Sequence, residues 1–478
     1  MSRSSETTVD LDERAARQGE RRSPFLTWVF PERVAGQAVA LEHGTTLGRG
    51  EHCSVQVACD GVSRQHVEIT REGPALIARD CDSTNGTFVD GRRCQHARLR
   101  EGSVLRLGNT LGIVSWNAPG ERAEGFGCLA SGLWGGKELR RALDPARRAA
   151  ASRLPVLLVG ETGTGKELCA QALHDWSGRT GRFLAINCTA LPKELAEAEL
   201  FGYRRGAFTG AAHENPGYFR SAQRGTLLLD EVNELPLPIQ AKLLRVIQEQ
   251  AVTPLGQAEP LSVDVRVVCA SQVPLARAVS AGTFRSDLFM RLNGLQIELP
   301  PLRTRRADVP RLLQTFLSKG ASLTGRANVS MPEVQARVVE ALCLYPWPGN
   351  VRELELLTQR LLSLHADAPC LELEHLPPEL RRLVSDEADG GGASPDSARS
   401  ASLNEPSHAG SLQAGSISAE PALDADRAQE DLSRLAALLR QNGANLSRAC
   451  AALGISRQRA YRLLAGRSVP ELLAEQKH

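Results

Sequence analysis

The chain has 478 residues, of which 42% are hydrophobic, 23% charged and 4% aromatic, and 57 basic side chains nearly balance 55 acidic ones for a net charge of +2. At roughly 150 residues per domain this length predicts about three domains, each able to bury a core of its own. So even a balance excludes a uniformly acidic or basic disordered chain, but as an average it leaves room for opposite local charges. No apolar run approaches the ~18–20 residues that a membrane helix needs, and residues 1–23 lack the apolar core of a signal peptide. The expectation is a cytoplasmic protein. Eleven cysteines, an odd number without a C-x-x-C pair, predict buried reduced thiols instead of a zinc site or a disulfide framework.

In chain order, residues 1–23 read as a flexible arm. Residues 24–118 show short β-type runs between glycine turns, such as Val55 to Ala58, His66 to Thr70 and Leu76 to Arg79, and predict an all-β sandwich. From 127 to about 305, apolar strands alternate with amphipathic helices. The runs Val156 to Val159, Thr226 to Leu229 and Val265 to Val268 read as buried parallel strands of an α/β domain. Residues 306–383 read as helical and close that domain. Residues 385–426, rich in Gly, Ser, Ala, Asp and Pro, hold eight acidic residues and one basic and predict a flexible acidic linker with a reach of about 35 Å. Residues 427–478 regain helical periodicity. The stretch from Arg440 to Arg467 holds six arginines and no acidic residue, so a basic module and an acidic tether nearly cancel in the total.

Within the β region, Gly48-Arg49, Ser63-Arg64-Gln-His66 and Thr84-Asn85-Gly-Thr87 follow in order. Arg49 and Arg64 can give charge-assisted hydrogen bonds to a phosphate, and Ser63 a hydroxyl. The ordered motifs resemble the forkhead-associated (FHA) domain, which implies phosphothreonine recognition by Arg49, Ser63 and Arg64, with Thr84 and Asn85 on the peptide backbone. A sandwich used for protein contacts without phosphate is the alternative.

In the α/β region, Gly160-Glu161-Thr162-Gly163-Thr164-Gly165-Lys166 follows a predicted strand and opens a helix. This is the G-x-x-x-x-G-K context in which backbone N–H groups wrap phosphates and the lysine reaches the β/γ oxygens. Glu167 stands where general P-loops place a Mg²⁺-binding Ser or Thr. Asp230 and Glu231 end the strand that follows; Asp230 can hold Mg²⁺, directly or through water, and Glu231 can act as general base. Gly206-Ala207-Phe208-Thr209-Gly210-Ala211 places an apolar side chain on a glycine-flanked loop, where it has little reason to be unless it touches a partner.

Together with Phe284-Arg285-Ser-Asp-Leu and Trp347-Pro-Gly-Asn-Val-Arg352-Glu-Leu354, these motifs resemble the AAA+ domain of sigma-54-dependent transcriptional activators over residues 127–383. The resemblance implies ATP and Mg²⁺, and a ring, usually a hexamer. It implies that Asn187 restrains Glu231, that Arg285 and Arg291 face a neighbouring subunit's γ-phosphate, and that Arg352 senses nucleotide. It assigns residues 206–211 to sigma-54 contact, and it accounts for Glu167. Gln272 departs from the family's Asn near the γ-phosphate. In the C-terminal module, a helix, Gly454 and a second helix opened by Ser456 resemble the Fis-type helix-turn-helix over residues 430–467. Ser456, Arg457, Gln458, Arg459 and Arg462 are its candidates for DNA contact, in dimeric units; a dimerising hairpin is the alternative.

The combined expectation is a multidomain chain: all-β FHA sandwich, α/β P-loop AAA+ domain with helical lid, and all-α helix-turn-helix. Its expected function is ATP-dependent activation of sigma-54 RNA polymerase from upstream enhancer DNA, regulated by phosphothreonine recognition. Gln272 keeps open a second reading, a phosphopeptide-responsive DNA-binding regulator whose ATPase domain is weakly active or structural.

Overall fold

The computed structural model describes residues 23–117, 125–323, 332–365 and 368–384. The arm, the acidic linker and the C-terminal module, with Ser456, Arg457, Gln458, Arg459 and Arg462, lie outside the described residues. Among the described residues no helix is long and apolar enough to cross a membrane.

Eleven strands build the N-terminal sandwich. They are β1 (Ser23–Phe30), β2 (Ala38–Ala40), β3 (Thr45–Gly48), β4 (Val55–Gln56), β5 (Val67–Glu72), β6 (Ala75–Asp80), β7 (Thr87–Val89), β8 (Arg92–Cys94), β9 (His96–Leu99), β10 (Val104–Leu107) and β11 (Thr110–Asn117). One sheet runs β2-β1-β11-β10-β7-β8 and the other β4-β3-β5-β6-β9. Period-two alternation sends Leu26, Trp28, Leu47, Val67, Ile69, Leu105 and Leu107 into the shared core, as a two-sheet packing requires. The strand predicted from His66 starts one residue later, at Val67, although the His66 backbone still bonds to Leu47 O and Cys81 N.

In the second domain, a short antiparallel pair of strands, Gly127–Ala130 and Leu133–Gly135, precedes helix α1 (Lys137–Arg148). The main sheet of this domain comprises β12 (Val156–Val159), β13 (Phe183–Asn187), β14 (Thr226–Asp230), β15 (Arg266–Ser271) and β16 (Leu295–Glu298). The sheet order is β13-β14-β15-β12-β16, and all neighbours run parallel. The continuous apolar runs of β12 and β14 follow from burial on both faces. The order reverses around β12, so the carboxyl end of that strand is the place where such a sheet binds ligands.

Helices α2 (Lys166–Ser177), α3 (Leu237–Glu249) and α4 (Ser286–Leu292) flank the sheet. Helices α5 (Val309–Leu323), α6 (Ala336–Leu344) and α7 (Asn350–Leu364) form the lid. The lid does not stand apart from the sandwich. Val29, Val104, Leu111 and Ile113 of the β-domain share one buried cluster with Val309, Leu313, Val338, Val339 and Leu342 of the lid. Helix α6 is buried on nearly every side, Glu340 included, because it packs on the lid and on the sandwich at once.

Candidate nucleotide site and phosphopeptide face

The glycine-rich loop leaves the carboxyl end of β12 and enters α2 through Gly165 at φ 100°. Gly163 sits at φ 76°, and a Cβ there would strike the carbonyl of Gly349, so the lid closes onto the loop at a point only glycine allows. Lys166 is 7% exposed. Its Nζ donates to Gly160 O at 2.8 Å and lies 3.8 Å from Glu231 Oε1. Thr164 is buried, with Oγ1 donating to Glu161 O, whereas Thr162 and Glu167 are exposed.

Every other sheet-borne candidate ends its strand on the same edge. Asn187 closes β13 and is paired in register with Asp230 of β14. Glu231 follows at φ 52°, left-handed backbone that non-glycine residues seldom adopt, and its N–H donates to Asp230 Oδ1. Gln272 follows β15, and its Nε2 donates to Glu231 Oε1 at 2.9 Å. The structure therefore brings Gln272 onto the acidic residue assigned above to Asn187. Asn187 instead turns its Oδ1 to its own turn and accepts from Thr189 N at 2.9 Å.

The lid contributes residues that sequence reasoning missed. Asn350 is fully buried at φ 51°. Its Nδ2 donates to Thr162 O at 3.0 Å and to Glu161 Oε2 at 3.2 Å, and its Oδ1 accepts from Leu302 N. Arg303 holds both carboxylate oxygens of Glu161, at 2.6 and 2.7 Å, a bidentate geometry. That guanidinium holds Glu161 below the usual carboxylate range against a smaller effect of burial. Buried Arg305 reaches Thr164 O and lies 3.5 Å from Asp308; burial pushes the Asp308 carboxyl up to about 6. Arg352 is exposed, with its Cβ beside Gly163. Asn350 stands within the Trp347 to Leu354 motif, but its donor role arises only where lid and loop meet.

Arg285 and Arg291 sit elsewhere. Arg285 is exposed and pairs with Asp287 at 2.8 Å. Arg291 lines a groove with Pro155 and Val267, at the amino end of β12, a strand length of about 13 Å from the edge that carries the loop.

The segment 206–211 forms a compact loop. Tyr203 and Asn215 bridge its base, and Gly206 and Gly210 take φ 83° and 109°. Ala207 packs against Gly256 and Ala211 is buried. Thr209 is exposed. Phe208 is 39% exposed, with one edge on the Tyr203 ring at a 5.0 Å centroid distance.

On the sandwich, the candidates gather at one loop cluster. Arg49, Arg64, Thr84 and Asn85 are exposed. Ser63 Oγ accepts from Thr84 N at 3.0 Å, and Asn85 Nδ2 donates to Gly61 O at 2.8 Å. His66 braces the cluster from beneath: Nδ1 accepts from Ser63 N and Nε2 meets Gly86 O. Burial lowers its pKa, keeping the ring neutral. Burial also pushes Asp80 up, but hydrogen bonds from Ser83 and Thr87 outweigh it and hold the carboxyl low.

The residues present fit a nucleoside triphosphate with a divalent cation. The loop turns its backbone through a glycine-only close approach, and a buried ammonium stands where phosphate charge would lie. No group of three His, Cys, Asp or Glu side chains gathers to cage a metal among the described residues. A Mg²⁺ ion held by one carboxylate, water and phosphates needs none. The fold and this site define a P-loop nucleotide-binding domain with a lid, carried beside an all-β recognition domain.

Comparison with known proteins makes the domains specific. Residues 134–298 match the sigma-54 interaction domain family, residues 303–391 the AAA+ ATPase lid domain, and residues 45–108 the FHA domain. The chain carries these three domains. It is 48% identical over 211 residues to the sigma54-dependent transcriptional activator SfnR of Pseudomonas putida, covering 44% of this chain and 57% of that one. It is 46% identical over 220 residues to the DNA-binding transcriptional regulator NtrC of Azospirillum brasilense, covering 46% and 45%. It is 44% identical over 238 residues to the regulatory protein AtoC of Escherichia coli K12, covering 50% and 51%. The chain spans about half the length of the curated relatives it matches.

Proposed function

We propose that this protein is a cytoplasmic ATPase that activates transcription by sigma-54 RNA polymerase, binds upstream DNA through residues 427–478, and is regulated by phosphothreonine recognition. The observation that carries this reading is the pairing, in one domain, of a P-loop site with Lys166, Asp230 and Glu231 and a loop that exposes Phe208. Bound ATP with Mg²⁺ supplies the phosphoanhydride whose hydrolysis drives the work. Water oxygen bonds to the γ-phosphorus, the bond to the bridging oxygen breaks, and ADP keeps its electron pair. Glu231 takes the proton of the water, Lys166 neutralises phosphate charge, Asp230 holds the cation and Arg352 answers to the nucleotide from the lid. Arg291, on helix α4 and beside the amino end of β12 instead of the P-loop end, acts on a neighbour's site, so the working state is a ring, taken as a hexamer.

Phe208→Ala tests the output end. ATP turnover should stay within about twofold, because the side chain lies outside the nucleotide site, while sigma-54-dependent transcripts should fall more than about tenfold, as expected when a central aromatic contact is lost. Equal transcript levels from wild type and variant would refute the loop's role.

The regulatory arm of the proposal rests on a path from the peptide face to the lid. Asn85 donates to Gly61 O. Gly61 lies against Gly108, where a Cβ would strike the Gly61 carbonyl. Arg106 donates Nη1 to Gly108 O at 3.4 Å and Nε to Glu340 Oε2 of α6 at 2.6 Å. A phosphothreonine peptide on Arg49, Ser63, Arg64, Thr84 and Asn85 thus bears on the lid that clamps the P-loop. Losing a hydrogen bond to a charged group costs ~1.5–3 kcal/mol. Arg49→Ala should accordingly weaken binding of a phosphothreonine peptide about 10- to 100-fold by fluorescence anisotropy. Equal binding of phosphorylated and unphosphorylated peptide by the wild type would leave the sandwich as a plain protein-contact domain.

A further inference from the structure

Glu231 does not choose its own orientation. It sits on a left-handed residue at φ 52°, and its Oε1 is held between Gln272 Nε2 at 2.9 Å and Lys166 Nζ at 3.8 Å. Asn187, one strand further out, has its carboxamide oxygen engaged by Thr189 N. The base from which Gln272 projects is tied on two sides. Ser271 O accepts from Gly160 N of the P-loop at 3.1 Å, and Ser271 Oγ donates to Asn233 Oδ1 in the turn that follows Glu231. Gln272 is thus a fixed arm between the phosphate loop and the acidic turn.

We propose that Gln272 is the positioning residue of the general base: its amide pins Oε1 of Glu231, leaving the second carboxylate oxygen to take the proton of the attacking water. The inference rests on the ATPase reading above. The length of the side chain matters. An Asn at this position, shorter by about 1.5 Å, would leave the donor beyond hydrogen-bond distance of Oε1. The departure from the family's Asn at this position then becomes a change of partner, from nucleotide to Glu231.

A double-mutant cycle on the full chain tests it. Gln272→Ala should lower kcat about 10- to 100-fold, the cost of misplacing a reacting group by about an ångström, with KM for ATP within about twofold. Gln272→Asn should behave like Gln272→Ala. In a Glu231→Ala background, Gln272→Ala should cause no further loss, because a residue that acts through Glu231 has nothing left to position. Gln272 is exposed, so its variants fold, and binding of a fluorescent ATP analogue confirms an intact site. Losses that multiply in the double variant, or a larger fall in Asn187→Ala than in Gln272→Ala, would overturn the assignment while sparing the ATPase reading. Zero turnover by the wild-type chain would overturn both.

Discussion

Arg291→Ala should lower ATP turnover about 10³- to 10⁵-fold, the loss expected when an arginine that neutralises transferring phosphoryl charge is removed. The groove around Arg291 opens beside Pro155 and Val267, where β12 begins, whereas the P-loop opens where that strand ends. The groove is therefore at the opposite end of β12 from the P-loop, and under the proposed function the guanidinium exerts its effect on another copy. Two inactive variants distinguish this from a folding defect. Arg291→Ala keeps a complete P-loop, and Lys166→Ala keeps a complete arginine. Mixing them should restore part of the turnover, because some interfaces then join an intact Lys166 to an intact Arg291. No recovery on mixing, or full activity in a strictly monomeric preparation, would contradict action in trans. Arg285 is exposed and pairs with exposed Asp287, so under the same proposal it can exchange that partner for the interface.

Glu340→Ala should destabilise the chain by about 3–5 kcal/mol, the usual result of removing one partner of a buried ion pair. Glu340 is 0% and Arg106 6% exposed. The Arg106 guanidinium lies 3.6 Å from the centre of the Phe88 ring, so removing the carboxylate leaves a nearly buried charge without its counter-ion. Burial pushes the Glu340 carboxyl up, and Arg106 pulls it part of the way back. Replacing both residues by Leu should recover much of the loss, since an apolar pair suits that site, but should break the link from the peptide face to α6. The expected result is a phosphothreonine peptide that still binds the double variant and no longer changes its ATP turnover. Urea unfolding followed by ATPase assay with and without peptide reads both effects. A loss below about 1 kcal/mol for Glu340→Ala, the range of an exposed pair, would mean that the sandwich does not rest on the lid in solution.

The features legible in the sequence are those made by neighbours in the chain. A glycine-rich loop between an apolar strand and a helix has its chemistry in seven consecutive residues, and Lys166 stands where that pattern puts it. The Phe208 loop is equally local. Contacts made by residues far apart in the chain were not legible. Glu231 and Gln272 are 41 residues apart, and no motif links them. The shared core of sandwich and lid leaves a faint trace in the sequence. Arg106 is the one charge in the apolar run Val104–Leu107, and Glu340 stands in the otherwise apolar stretch Val338 to Leu344. Two lone charges of opposite sign, each in a segment otherwise fit for burial, are what a buried pair looks like before its halves are brought together. Asn350 and Arg303 were hidden for the same reason, since their partners Thr162 and Glu161 lie across the lid boundary.

The central claim is that ATP hydrolysis in this chain drives sigma-54 polymerase into transcription. The most direct measurement is transcript yield from a sigma-54-dependent promoter in a purified system containing core polymerase, sigma-54 and the full chain. ATP should give transcripts, while a non-hydrolysable analogue and the Glu231→Gln variant with ATP should give none above the level without the protein. Transcripts of equal yield with the analogue, or no transcripts with ATP at any protein concentration, would contradict it.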